Sequence, residues 1–200
     1  MTKQLVVSVF SFLVISSISA SAQTATIPNT ALLDVVSGNE VSLKQYGKQK
    51  AVVLLFTSNY CPFSRLYEQR IADLIGNYDA GEVAFLLINP NSEAERDEES
   101  EDAMKKKAAE WNRSLPYLSD KGQVWASALG ATKTPEVFVL TPKAGKLTVF
   151  YSGALDDNPQ VAEDVSQAYL AKALEQAVQG KTTTLPKQRP VGCMIKRIGN

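Results

Sequence analysis

An α/β fold is predicted for this chain: one mixed central sheet with helices on both faces, an N-terminal β-extension and an extended C-terminal tail. Three observations predict it. Continuous apolar runs such as "AVVLLF" and "VAFLLIN" suit strands buried on both faces, and they alternate with segments of helical period. Two further apolar runs, "TPEVFVLTP" and "KLTVFYSG", follow one another across the turn "KAG" and are expected to pair antiparallel before a last helix. With 200 residues, 44% of them hydrophobic and 21% charged, the chain can bury one domain's core and is too apolar for disorder.

Residues 1–22 stand apart. Lys3 precedes an apolar stretch from Leu5 to Ile15, and "SISASAQ" places Ala20, Ser21 and Ala22 as an A-x-A cleavage site before Gln23. The apolar run is shorter than the roughly 20 residues a bilayer core requires, so a cut secretory signal is expected rather than stable membrane insertion. The organisation that follows is a signal at 1–22, a domain at 23–180 including the β-extension, and a tail at 181–200. The protein is expected to be exported, to the periplasm or the extracellular medium.

From Gln23 to Lys50 apolar and polar residues alternate around Ser37–Asn39, the pattern of a short hairpin. The strand "AVVLLFTS" then leads into "PFSRLYEQRIADLIGNY", where Leu66, Tyr67, Ile71, Leu74, Ile75 and Tyr78 recur at helical spacing behind Pro62. A second buried strand covers 82–89. Seven acids between Ser92 and Asp102, with Lys105, Lys106 and Lys107 after them, complement the dipole of a helix over 98–112 and read as its solvated surface rather than an acidic docking face. A short strand at 115–120, a helix ending near Gly130, the paired strands and an amphipathic helix from Glu163 to Gly180, with Val165 on its apolar side, complete the order.

Composition excludes several chemistries. Removing residues 1–22 leaves 20 basic against 21 acidic groups, so no nucleic-acid partner is implied. There is no histidine, which removes Ser-His and Cys-His catalysis and most zinc or copper sites; no metal is expected. Two cysteines remain, Cys61 and Cys193, and an exported protein can keep them as one disulfide.

Cys61 lies in "SNYCPFS", after a strand and before a helix. Helix N-termini present unpaired N–H groups and a positive dipole end, which favour the thiolate, the nucleophilic form. The position three residues on, where a redox pair would carry its second cysteine, is Ser64. Its hydroxyl either donates to the thiolate or caps the helix start. Arg65 either adds positive potential or is an ordinary surface residue. In "KTPEV", proline at the start of an apolar strand fits a cis Thr134–Pro135 bond or an edge strand opening on a trans proline.

Together "SNYCPFS", "GATKTPEVFVL", "YSGALDDNP" and "PVGCMIKR" resemble the thioredoxin superfamily, in particular the peroxiredoxin-like branch of redoxin-domain proteins related to the alkyl hydroperoxide reductase/thiol-specific antioxidant group. The resemblance spans residues 26–197. It implies a thioredoxin-like fold, Cys61 as the reactive thiol, Pro135 as a cis-proline facing it and Cys193 as the distal thiol; in the mechanism expected from this, Thr134 and Pro135 position an incoming disulfide or peroxide. Two positions depart from the pattern. Lys133 stands where some relatives carry cysteine, and Tyr60 where histidine is frequent. Against the Pro-x-x-x-Thr-x-x-Cys pattern of true peroxiredoxins, Ser58 stands for threonine and Leu54 for proline, so peroxidase activity is a weaker expectation than thiol redox activity.

The tail carries Lys181, Lys187, Arg189, Lys196 and Arg197 and no acid, and Pro186 and Pro190 keep it extended. Three readings of Cys193 stand open. It resolves an oxidised Cys61, with an external thiol as reductant and a disulfide or peroxide as substrate, needing no cofactor. Alternatively it is the fixed end of a structural staple in a non-catalytic binding or scaffold domain. In the third reading it never reaches Cys61.

Overall fold

The computed structural model describes residues 26–91, 96–111 and 115–198; the expected signal segment, and Glu93 and Glu95 of the acidic run, lie outside them. The expected hairpin forms from β1 (Leu32–Asp34) and β2 (Glu40–Val41). Asp34 turns it, accepting the Val36 N–H at 3.1 Å and the Ser37 hydroxyl at 2.6 Å, and also accepts the Tyr117 N–H at 2.9 Å. One buried carboxylate thereby both closes the hairpin and fastens it to the main sheet.

The remaining elements are β3 (Ala51–Phe56), α1 (Pro62–Ile75), β4 (Val83–Asn89), α2 (Glu101–Glu110), β5 (Tyr117–Ser119), α3 (Val124–Leu129), β6 (Lys133–Thr134), β7 (Glu136–Lys143), β8 (Lys146–Gly153), α4 (Tyr169–Val178) and β9 (Cys193–Met194). Seven strands form one sheet in the order β2-β1-β5-β4-β3-β7-β8. β3, β4 and β5 run parallel, while β1, β7 and β8 are antiparallel to their neighbours. Successive residues of β3 and β4 point to opposite faces. Val53, Leu55, Phe85 and Leu87 pack with Ile71 of α1, Met104 of α2 and Leu174 of α4; Val52, Leu54, Phe56, Leu86 and Ile88 pack on the other face with Trp125 and Leu129 of α3. This is the mixed sheet with helices on both faces, a thioredoxin-like fold. Among the described residues no helix is long and apolar enough to cross a membrane.

Four expectations need correction. α2 begins at Glu101, because Ser100 is its N-cap and accepts the Ala103 N–H at 3.2 Å, so Asp97–Glu99 form a separate turn. Within that turn Glu99 is buried, not solvated. α4 begins at Tyr169 rather than Glu163, since Asp157 accepts the N–H groups of Ser166 and Gln167 and holds them out of the helix, leaving Val165 in a loop. Leu66 lies on the exposed side of α1.

The tail was expected to be extended, and it is also bound. Gln188 bridges Gly153 at the end of β8, where a Cβ would come within 1.9 Å of the Gln188 carbonyl oxygen. β9 then pairs antiparallel with β6, Thr134 opposite Cys193 and Lys133 opposite Met194. Ile195 inserts into the core on the α3 side of the sheet.

Candidate active site

β3 ends at Phe56, and Thr57–Tyr60 carry the chain to α1. Cys61 is the N-cap residue of that helix in extended geometry and Pro62 its first residue, which has no N–H to lose there. Cys61 is 1% exposed and is bonded to Cys193, with 5.9 Å between the two Cα atoms. Cys193 is the less buried partner, and its neighbours Val191 and Met194 are exposed. The third reading, in which Cys193 never reaches Cys61, is not the arrangement of this structure.

The Thr134–Pro135 bond is cis. The Thr134 carbonyl oxygen lies 3.0 Å from Cys61 Sγ, and its strand position is directly opposite Cys193. Gly192 makes that approach possible, since a Cβ there would lie 2.2 Å from the same carbonyl oxygen. Pro135, Cys61, Thr134 and Cys193 are thus gathered at one place. Ser64 lies in the first turn of α1 and is buried, but its Oγ has no hydrogen-bond partner and caps nothing; the Thr134 hydroxyl likewise has none. Arg65 turns back toward the loop, its Nε donating to the Asn59 carbonyl at 3.0 Å.

Two buried carboxylates shape the loops on either side of the disulfide. Glu136 accepts the N–H groups of Thr132 at 2.7 Å and Lys133 at 3.1 Å, fixing the approach to the cis-proline. Glu99, 2% exposed, accepts the N–H of Asn59 at 3.1 Å and of Tyr60 at 2.9 Å, the Asn89 amide at 2.7 Å and, in a short contact, the Ser58 hydroxyl. Ser58 Oγ in turn accepts the Cys61 N–H at 3.3 Å. Glu99 was hidden in the acidic run. The available signal was Ser100, whose N-capping role starts the helix only after Glu99 and frees that residue to face inward.

The tail is gripped beyond Cys193 as well. The Ile195 N–H donates to the Thr132 carbonyl at 3.0 Å and the Lys196 N–H to Asn91 Oδ1 at 3.2 Å. Gln123 donates to the carbonyls of Pro90, at 3.1 Å, and of Lys196, while Arg197 donates to the Ala131 carbonyl. Next to the cis-proline, Asp156 of the "YSGALDDNP" segment joins Tyr67 at 2.6 Å and Arg70 at 2.8 Å. Burial, then that carboxylate, pushes the Tyr67 phenol far up, so it stays a neutral donor. A cavity of about 180 Å³ opens there, bounded by Pro135, Asp156, Arg189 and Val191.

A family model described as the AhpC/TSA family matches residues 22–150. No curated protein matches the chain. Among solved structures, an uncharacterized conserved protein from Geobacillus kaustophilus is similar at 30% identity and a TM-score of 0.79, covering 88% of this chain and 93% of its own. A hypothetical protein from Sinorhizobium meliloti is 28% identical with a TM-score of 0.77, over 88% and 95% of the two chains. The bacterioferritin comigratory protein of Xanthomonas campestris, studied for its alkyl peroxide reduction activity, shares the fold at 15% identity and a TM-score of 0.54, over 77% and 92%.

Proposed function

Since this chain belongs to the AhpC/TSA family, and is by that membership a thiol-dependent oxidoreductase, we propose that Cys61 and Cys193 are its working redox couple, exchanging disulfides after export. The observation that carries the reading is the bond itself: it joins the N-cap of α1 to a strand paired against the cis-proline loop. Opening a bond at that junction leaves Cys61 as a thiolate at the N-cap of α1, beside the cis-proline loop, where an incoming disulfide would meet it.

Reduction begins at Cys193, the less buried sulfur. A reductant thiolate attacks Cys193 Sγ, forming a mixed disulfide there and expelling Cys61 as thiolate. A second thiolate of the reductant attacks its own sulfur in that mixed disulfide, releasing Cys193 and leaving as the oxidised reductant. In the working direction the Cys61 thiolate attacks a substrate disulfide and releases one substrate thiolate. Cys193 then attacks Cys61 Sγ, releases the second and restores the bridge. Two electrons pass, and every sulfur bond broken is replaced.

Disulfide exchange is favoured over peroxide reduction by Ser58. Its hydroxyl donates to Glu99 and its oxygen accepts from the Cys61 amide, so it has no proton left for a leaving oxygen at Cys61. The experiment is turnover of the reduced protein against a small disulfide and against hydrogen peroxide. Turnover with the disulfide, falling to background in Cys61→Ser while the circular dichroism spectrum is kept, is the expected result; faster turnover with peroxide would replace exchange by peroxidase chemistry.

A second reading has its own observation. Ile195 buried in the core and the grip on Lys196 and Arg197 are features of a permanent staple, and a Cys61–Cys193 bridge serving only stability would use them. In that reading Cys61→Ser costs stability and there is no turnover to lose.

A further inference from the structure

Glu99 is a buried carboxylate with no ion-pair partner among the described residues. Burying a charge is costly unless hydrogen bonds compensate, and four donors surround this one. All but Asn89 belong to Ser58–Tyr60, the three residues before Cys61. An anion at a helix N-terminus is stabilised by N–H groups directed at it. Here the Asn59 and Tyr60 N–H groups are spent on Glu99, the Cys61 N–H is spent on Ser58, itself bound to Glu99, and Pro62 has none, which leaves only the Phe63 and Ser64 N–H groups of α1 to face the sulfur.

We propose that Glu99 is a positioning residue of the redox loop that disfavours the Cys61 thiolate, by turning the Asn59, Tyr60 and Cys61 N–H groups away from the sulfur and by placing a carboxylate on the N–H of Tyr60, the residue next to Cys61. The inference rests on Cys61 acting as a thiol in the cycle above. A disfavoured thiolate is a slower leaving group, so Glu99 protects the bridge against adventitious reduction and makes the disulfide the resting state.

The other charged and titratable groups facing the loop have partners of their own. The Arg65 guanidinium bonds the Asn59 carbonyl, and Arg96 stacks 4.0 Å above the Tyr60 ring. Tyr117 donates its hydroxyl to Asn59 Oδ1 at 2.9 Å and is held neutral by burial and then by Glu99. Glu98 meets the loop through its backbone carbonyl, and Glu68 is paired with Lys107. Lys133 is half-buried on the cis-proline side and approaches the couple through β6.

The test titrates the Cys61 thiolate by its ultraviolet absorbance near 240 nm. It uses the Cys193→Ser protein, in which Cys61 is the only thiol, and compares Glu99 with Glu99→Gln. Glutamine keeps an acceptor for the loop and removes the charge. The expected result is a Cys61 pKa lower by about one unit in Glu99→Gln, a roughly tenfold larger thiolate fraction at a pH below both values. An unchanged or higher pKa would overturn the proposal. Should Glu99→Gln fail to fold, Ser58→Ala decides on the same signal: freeing the Cys61 N–H is expected to lower the pKa by less than one unit, and no decrease would overturn it. Turnover is not part of this readout. A lowered pKa in a protein without turnover would therefore sustain the role of Glu99 and defeat the proposed function alone.

Discussion

The two sulfurs of the single disulfide belong to unlike regions. Cys61 stands on the frame: β3 is buried at all six residues, paired on both sides, and α1 packs along it. Cys193 stands on a strap, held to that frame by a two-residue ladder, one bridge at Gln188, the Ile195 side chain and a few side-chain bonds to its last residues. Cooperative burial makes the frame open only with the whole fold, whereas segments with few buried contacts open locally at lower cost. The difference teaches where reduction is felt. The frame is therefore expected to keep its loop and cis-proline when the bond breaks, and the strap to be the part that lifts.

The comparison is broken most severely by removing the bond. Closing a loop over 132 residues stabilises the fold by about 5 kcal/mol in the chain-entropy model, so Cys193→Ser is expected to lose stability on that scale in denaturant unfolding. Native-state hydrogen exchange should then show faster exchange in residues 181–198 and unchanged ranking within β3 and β4. Equal acceleration in strap and frame would erase the distinction between them.

A smaller break leaves the sulfurs in place. Gly192→Ala drives a Cβ against the Thr134 carbonyl, and displacement of β9 from β6 is expected to destabilise the oxidised protein by about 1–3 kcal/mol. In a Cys193→Ser background the same substitution should cost less than 0.5 kcal/mol or about that, because the free strap can move away. A double-mutant cycle by thermal unfolding measures the coupling.

The smallest effect sharpens the frame's side. Burial raises the carboxyl of Asp120, which accepts the N–H groups of Trp125 and Ala126 at the start of α3. With the folded value above the unfolded one, the folded state holds more protons between them. Stability from this group is therefore fully present below the ordinary value of 3.8 and is lost as pH rises through the folded value. Asp120→Asn is expected to flatten that slope in both forms, and by more in the reduced protein, where lifting the strap removes the Arg197 charge that lowers the carboxyl.

Much of the frame was legible in the sequence because its signals are local. "AVVLLF" announced β3 and Pro62 the start of α1, while the proline opening "PEVFVL" left cis and trans open and only the family resemblance pointed to the cis bond beside Cys61. What stayed hidden depends on distant partners. Two-residue strands such as β6 and β9 have no periodicity to detect, and their pairing joins positions sixty residues apart or about that. Glu99 resembled its acidic neighbours until the inward turn before Ser100 distinguished it. The late start of α4 follows from Asp157 reaching Ser166 and Gln167, a side-chain bond that overrides an amphipathic pattern.

The most direct test of the redox claim is the reduction potential of the Cys61/Cys193 couple in the protein lacking residues 1–22. It is read by equilibration against dithiothreitol mixtures, alkylation of free thiols and intact mass. A working oxidoreductase is expected between roughly −270 and −120 mV, and a potential below about −300 mV would mark the bond as a structural staple and contradict the account.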